Sequence, residues 1–257
     1  MKLAKRLGQF FSVKQTSILS AATVIMIMVF TSRILGLFRD RMLASRFSPD
    51  ELGVYFAAFR LPNLIFELLV MGAVSAAFIP VFTEFLTEGK KEAAWKLSST
   101  VINLGLLFFA VLSIPIYIFS YQLCEFLAPG FDKAQLLQMA NFTRIMLLAQ
   151  VFPLVIGNFL TGILQSFKHF LIPALAPVVY NVGIILGIMI LSPRFGLYGP
   201  VFGVVLGALL FMLIQLPLVL SLGYRHRWGF GFKDEGVREV GHLMLPRTFG
   251  LAVAQID

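Results

Sequence analysis

Apolar residues dominate the chain in long runs rather than in a repeat of two or seven. The runs cover about 17–38, 52–86, 97–127, 135–165, 170–192 and 197–223, and a seventh starts near 238. Short polar stretches with Gly, Pro, Lys and Arg separate them. A bilayer-spanning helix needs about 20 apolar residues, so six runs are long enough to cross and the seventh begins a crossing. In lipid a segment must satisfy its own backbone hydrogen bonds, so each run is expected to be helical. The two-residue alternation of a membrane barrel is absent.

Composition points the same way. The 257 residues are 58% hydrophobic and only 13% charged, with mean hydropathy +0.87. Soluble domains are about 45–50% apolar and about 25% charged. A water-soluble globule, a disordered chain, a collagen-like fibre and a disulfide scaffold are therefore excluded. The lone Cys124 allows neither an internal disulfide framework nor a cysteine metal site. The fold class expected is all-α, a polytopic membrane bundle of six helices and part of a seventh.

The formal net charge of +8 would suggest nucleic acid in a soluble protein. Here it reads as orientation instead, with no nucleic-acid partner. With the N-terminus inside, twelve Lys and Arg fall on the cytoplasmic side and five outside: Arg39, Arg41, Arg46, Lys133 and Arg194. That bias favours N-in, and it leaves an unusually basic first outer loop. Residues 1–16 read as a cytoplasmic or interfacial segment rather than a signal peptide, because no small-residue cleavage site follows. Residues 17–223 form the six-helix lobe, 224–237 a cytoplasmic loop, and 238–257 the start of the seventh helix. The apolar part of that last segment, Leu243 to Ile256, is only about two-thirds of a spanning length. The chain is therefore expected to be a fragment.

Arg33, Arg60, Glu67 and Arg247 fall inside apolar runs, and Arg144 lies close to the start of the fourth. An ionisable group at membrane depth costs roughly 2.5–3.5 kcal/mol on insertion scales, so it faces a partner or a watery cavity unless it snorkels. Arg144 lies close to the outer surface and reads as a snorkeller. Arg33 is open between the two readings. Arg60 and Glu67 are seven apart, on one face of an ideal helix, with Pro62 between them as a kink; a structural ion pair is their plainer alternative. Arg33 and Asp40 share a face of the first run, and Arg39 lies about 120° round from Arg33. With Asn63 beside them, these residues make a polar, net-positive lining. Arginine's planar fork suits phosphate, so an anionic diphosphate substrate is the inference.

Prolines within or beside runs, among them Pro62, Pro80, Pro115, Pro153, Pro173, Pro177 and Pro246, fit broken or kinked helices. Gly199, Gly203 and Gly207, with Gly183 and Gly187, read as close helix packing. No Walker A loop, dinucleotide fingerprint or HExxH pattern occurs. His169, His226 and His242 read as satisfied or solvated. No acidic cluster could hold Mg²⁺, so no cofactor is called for, and an embedded lipid-phosphate enzyme lacks its machinery. A passive scaffold leaves the intramembrane arginines unexplained.

Several motifs carry a resemblance in chain order. They are Thr31-Ser32-Arg33-Ile34-Leu35-Gly36 with Phe38-Arg39-Asp40, Ala58-Phe59-Arg60-Leu61-Pro62-Asn63, Gly72-Ala73, and Ala77-Phe78-Ile79-Pro80. Ala128-Pro129-Gly130-Phe131, Thr143-Arg144-Ile145-Met146, Pro173-Ala174-Leu175-Ala176-Pro177 with Asn181, and Leu245-Pro246-Arg247 follow. Together they resemble the MurJ (MviN) family of lipid II flippases, in the MOP exporter superfamily. The resemblance implies fourteen helices in two lobes around a cavity, with this chain supplying the first lobe. It implies lobes that rock between inward and outward states, and a lipid-linked disaccharide-peptide diphosphate moved to the outer leaflet of the bacterial inner membrane. A coupling ion or the membrane potential would drive the cycle.

On this resemblance Arg33 and Arg39 match cavity arginines, and Arg60 a basic position before the Pro-Asn pair. Phe66 and Glu67 stand where many members carry two arginines, and Met71 and Gly53 where they carry acids, so the charge layout of the second run is altered. The candidate substrate-binding set is Arg33, Arg39, Asp40, Arg60, Asn63, Glu67 and Arg247. A related exporter of another lipid-linked oligosaccharide or of cationic drugs is the alternative within the superfamily.

Overall fold

The computed structural model describes residues 18–64, 77–231 and 234–254. Those residues are helical throughout their ordered elements, with no strand among them. The helices are α1 (Ile18–Arg46), α2 (Pro49–Ala58), α3 (Ile79–Thr87), α4 (Lys91–Ile118), α5 (Ser120–Leu127), α6 (Lys133–Ile145), α7 (Val151–Ser166), α8 (Leu171–Leu186), α9 (Ser192–Phe195), α10 (Tyr198–Leu213), α11 (Leu216–Ser221) and α12 (Glu235–Ala254). Among the described residues, five stretches are long and apolar enough to cross a membrane: Ala22–Arg46, Lys91–Ile118, Lys133–Ser166, Leu171–Phe195 and Tyr198–Ser221.

The first helix runs two turns further than the hydrophobic pattern indicates. Arg39, Arg41 and Arg46 are helical, so the expected basic outer loop does not exist. The chain turns only at Phe47, and the cap that follows is explicit. Ser48 accepts from the Glu51 amide, Glu51 returns a bond to the Ser48 amide, and Pro49 sits at the first position. α12 likewise starts three residues before the expected 238. The middle of the second run, with Phe66, Glu67 and Met71, lies outside the described residues.

Proline shapes the long helices by withholding its N–H. A π-helical turn at Met146–Gln150 precedes Pro153, and another at Gly187–Leu191 precedes Pro193. Each spreads the missing bond over a wider turn. In the second run Pro62 cannot bond the Ala58 carbonyl; the Thr143 hydroxyl of α6 donates to that oxygen at 3.2 Å instead. The kink is therefore also a dock between two helices.

Two apolar clusters fill the bundle's ends. Tyr55, Met139, Phe142, Met146 and Val201 pack near the 46–49 turn. Phe78, Phe82, Trp95, Phe159 and Phe167 pack near the 88–91 turn. Between them α8 and α10 touch backbone to backbone. A Cβ on Gly183 would collide with Gly207, and one on Gly187 with Gly203, which the small-residue spacing predicts. Gln215 is fully buried and fully used: it donates to the carbonyls of Gly157 and Phe211, both at 3.0 Å, and accepts from Thr161 at 2.7 Å.

Candidate functional site

The polar stripe of α1 meets the bundle at one residue of α8. Helix α1 docks chiefly on α8 and leaves Ile27, Phe30, Ile34, Leu37 and Phe38 exposed. Ser32 and Arg39 are two turns apart on the docked side. Helical side chains lean toward the N-terminus, so the long Arg39 side chain reaches back toward Ser32. Asn181 fills the space between them. Its Oδ1 accepts from Arg39 Nη1 at 2.9 Å; its Nδ2 donates to Ser32 Oγ at 3.1 Å and to the Pro177 carbonyl at 3.1 Å.

Arg39 is also held by its neighbour. Its Nε donates to Asp40 Oδ1 at 2.9 Å, and its Nη2 forms an ion pair with the same oxygen at 2.8 Å. Asp40 thus balances Arg39 and not Arg33, although Arg33 and Asp40 share the seven-residue spacing. Arg33 lies exposed on the rim of a groove of about 290 Å³ between α1 and the start of α8, with Ser32, Met28, Gln165 and Pro177. Among the described residues, no hydrogen bond or ion pair engages its guanidinium.

Other arginines cap frayed carbonyls. Arg60 donates from Nη1 to Leu127 O, at the end of α5, at 3.3 Å. It lines an open pocket of about 490 Å³ with Gly53, Phe56, Leu127 and Phe131. Arg144 donates to Tyr117 O at 3.2 Å, beside the break at Phe119, and lies 5.5 Å over the Tyr117 ring. A cation at a helix C-terminus meets the negative end of the backbone dipoles. Asn63 is exposed near Arg60, with its amide bonded to the Phe59 carbonyl.

The structure thus holds Arg39 with Asp40 on the docked side of α1 and Arg33 at the rim of the groove on the same helix, and places Arg60 on a separate pocket. Glu67 lies outside the described residues, as does the side chain of Arg247, whose backbone belongs to α12. Asn181 and Ser32 were not among the site residues expected from sequence. The available signal was a carboxamide within an otherwise apolar spanning helix. Among the described residues, no group of three or more His, Cys, Asp or Glu could hold a metal ion.

The far end of the bundle is pinned by a polar strap. After Gly223, the Tyr224 hydroxyl meets His226 Nδ1 at 2.8 Å, and the Arg227 amide donates to Ser99 Oγ at 3.2 Å. Asn103 donates to the carbonyls of Arg227 and Gly229 at 3.1 and 2.9 Å. Burial pushes the Tyr224 phenol up and the His226 imidazole down from their ordinary values.

Comparison with known proteins places this architecture. A family model described as lipid II flippase MurJ matches residues 44–257. The lipid II flippase MurJ of Burkholderia cenocepacia is 31% identical over 242 residues, covering 88% of this chain and 45% of that protein. The probable lipid II flippase MurJ of Vibrio cholerae is 31% identical over 259 residues, covering 93% and 48%. A solved lipid II flippase MurJ in an inward closed conformation superposes with TM-score 0.74 at 26% identity, covering 91% of this chain and 48% of that one. An outward-facing multidrug MATE transporter of the MOP superfamily gives 0.71 at 17% identity, covering 93% and 53%, which is a likeness of fold alone. The chain spans about half the length of these relatives. Their names describe transporters and not enzymes.

Proposed function

Because this chain belongs to the lipid II flippase MurJ family, we propose that it is one lobe of a transporter that moves lipid II, an undecaprenyl diphosphate-linked precursor, to the outer leaflet of the bacterial inner membrane. The helices span that membrane with the N-terminus cytoplasmic, as the basic-residue bias favours. A second lobe faces this one across a cavity, and rocking of the two alternates access. Transport of this kind needs no bond chemistry, only a substrate that stabilises two states differently. A coupling ion or the membrane potential supplies direction.

The observation that carries the reading is the contrast between Arg33 and its neighbours. Among the described residues nothing engages the Arg33 guanidinium, which stands in the apolar first helix close to the Arg39–Asp40 pair. Such a charge is costly without a role, and a diphosphate is a matched acceptor for its planar fork. Arg39 supplies a second, partly balanced fork. Arg60, with one long bond to a carbonyl, is a peripheral contact from its own pocket.

The test is binding of undecaprenyl diphosphate to the protein in nanodiscs. Arg33→Ala should weaken it about tenfold or more, the size of a charge-assisted hydrogen bond. Arg33→Lys should recover part, since the charge stays and the fork is lost. Unchanged binding in Arg33→Ala at matched abundance overturns the diphosphate site.

A further inference from the structure

We propose that Asn181 is a positioning residue for the Arg39 guanidinium, aiming its unused edge at an anionic diphosphate; this rests on the flippase reading above. An arginine has five N–H donors and an asparagine two N–H donors with one carbonyl acceptor. Two of the five Arg39 donors are hydrogen-bonded, Nε to Asp40 and one on Nη1 to Asn181, and Nη2 lies 2.8 Å from the same Asp40 oxygen as an ion pair. Each terminal nitrogen carries two N–H groups, so each keeps an N–H that no hydrogen bond among the described residues uses, and the edge between the two nitrogens lies opposite the side-chain stem. That edge is the one a phosphate engages with two parallel bonds.

Asp40 alone would not fix that edge. It is the sequence neighbour of Arg39 and half-exposed, so the pair could swing together. Asn181 is 7% exposed, and its own amide cannot turn over. Turning it would set its N–H₂ against the Arg39 donors and its oxygen against Ser32 O and Pro177 O, which lie 3.4 and 3.1 Å from Nδ2. Three groups from two helices therefore determine one orientation of the amide, and the amide in turn orients the guanidinium. A carboxamide does this without adding a second negative charge beside Arg39, which a carboxylate would.

The experiment is a double-mutant cycle on Asn181 and Arg39 in nanodiscs, read with undecaprenyl diphosphate and undecaprenyl monophosphate. Asn181→Ala should weaken diphosphate binding about fivefold, the size of one net hydrogen bond. It should change monophosphate binding less than about twofold, since a single phosphate needs less of the aligned edge. In the Arg39→Ala background the Asn181→Ala effect should vanish, as expected of coupled groups. Equal loss in both backgrounds, or equal loss for both lipids, shows a merely structural dock and overturns the proposal. Asn181→Asp is the second, nearly isosteric variant. Its carboxylate adds a second negative charge beside the Arg39–Asp40 pair and makes the cluster net anionic, so diphosphate binding should fall further than in Asn181→Ala; wild-type binding by Asn181→Asp also overturns the proposal. If Arg33→Ala and Arg39→Ala both bind like wild type, the diphosphate reading itself has failed, which a persistent Arg39 effect with additive Asn181 loss would not imply.

Discussion

Arg46 and Ile188 are 142 residues apart in sequence and meet at 2.8 Å, guanidinium Nη1 to backbone oxygen. Ile188 lies in the π-helical turn Gly187–Leu191, whose wider pitch displaces carbonyls from the usual four-residue ladder. The last turn of α1 thus caps a defect in the helix it packs on. Arg46→Ala should lower the thermal stability of the purified protein by about 1 kcal/mol, the net size of one such bond. Undecaprenyl diphosphate binding should stay within about twofold of wild type, since the loss falls below one net hydrogen bond to the ligand. A tenfold binding loss without a stability change would reassign Arg46 to the substrate.

The glycine contacts make a steeper prediction. Gly183 and Gly207 let α8 and α10 touch, whereas a Cβ on Gly36 of α1 meets nothing within 4 Å. Gly183→Leu and Gly207→Leu should each cost more than the roughly 1–3 kcal/mol of ordinary overpacking, because backbone and not a flexible side chain must yield. Membrane abundance, read by quantitative blotting, should collapse for both and remain near wild type for Gly36→Ala.

Gln215 tests whether a satisfied buried amide is required or merely tolerated. Gln215→Leu strands the Thr161 hydroxyl and removes two bonds to carbonyls. The expected cost is about 1–3 kcal/mol in chemical denaturation. Thr161→Val added to Gln215→Leu should restore part of it, because an apolar pair leaves no orphan donor.

The strap after Gly223 should respond to pH. Burial lowers the His226 imidazole below its ordinary 6.5. The undocked strap therefore binds more protons than the docked one between the two values, and docking strengthens as pH rises. Its contribution is complete above about pH 6.5 and is lost as pH falls through the lowered, docked value. Hydrogen exchange at the Arg227 amide, corrected for intrinsic rates, should accelerate on acidification. His226→Gln should flatten that dependence.

Topology is testable with cysteines, although not with the native one. Cys124 is fully buried and 3.9 Å from the Thr143 hydroxyl, so an impermeant thiol reagent should not reach it from either side. In a Cys124→Ser background, Phe126→Cys should label from outside in intact cells, Phe126 being 83% exposed near the 127–133 turn. Glu88→Cys, at the opposite turn, should label only in inverted vesicles. The reverse pattern would invert the proposed orientation.

The linear pattern determined the class of this protein because the bilayer imposes it. Long apolar runs have one stable backbone state in lipid, so a membrane bundle and most helix positions are legible without coordinates. The glycine spacing was legible for the same local reason: residues four apart share a helix face, and small ones admit a neighbour. Arg33, Arg39 and Asp40 could be placed on one helix by counting. Which of them is held, and by what, could not be counted. Spacing pairs Arg33 with Asp40, but the structure pairs Arg39 with Asp40 and leaves Arg33 facing a groove. The reason is that Asn181, 142 residues beyond Arg39, lies where α8 crosses α1, and it takes the guanidinium that the crossing brings within reach. The extra turns of α1 escaped the hydrophobic pattern because Arg39, Arg41 and Arg46 look like a loop until Ser48 is seen capping the next helix and Arg46 capping a carbonyl of another. Hydropathy depends on each residue alone, whereas a hydrogen bond depends on two, and only the packed bundle decides which two meet.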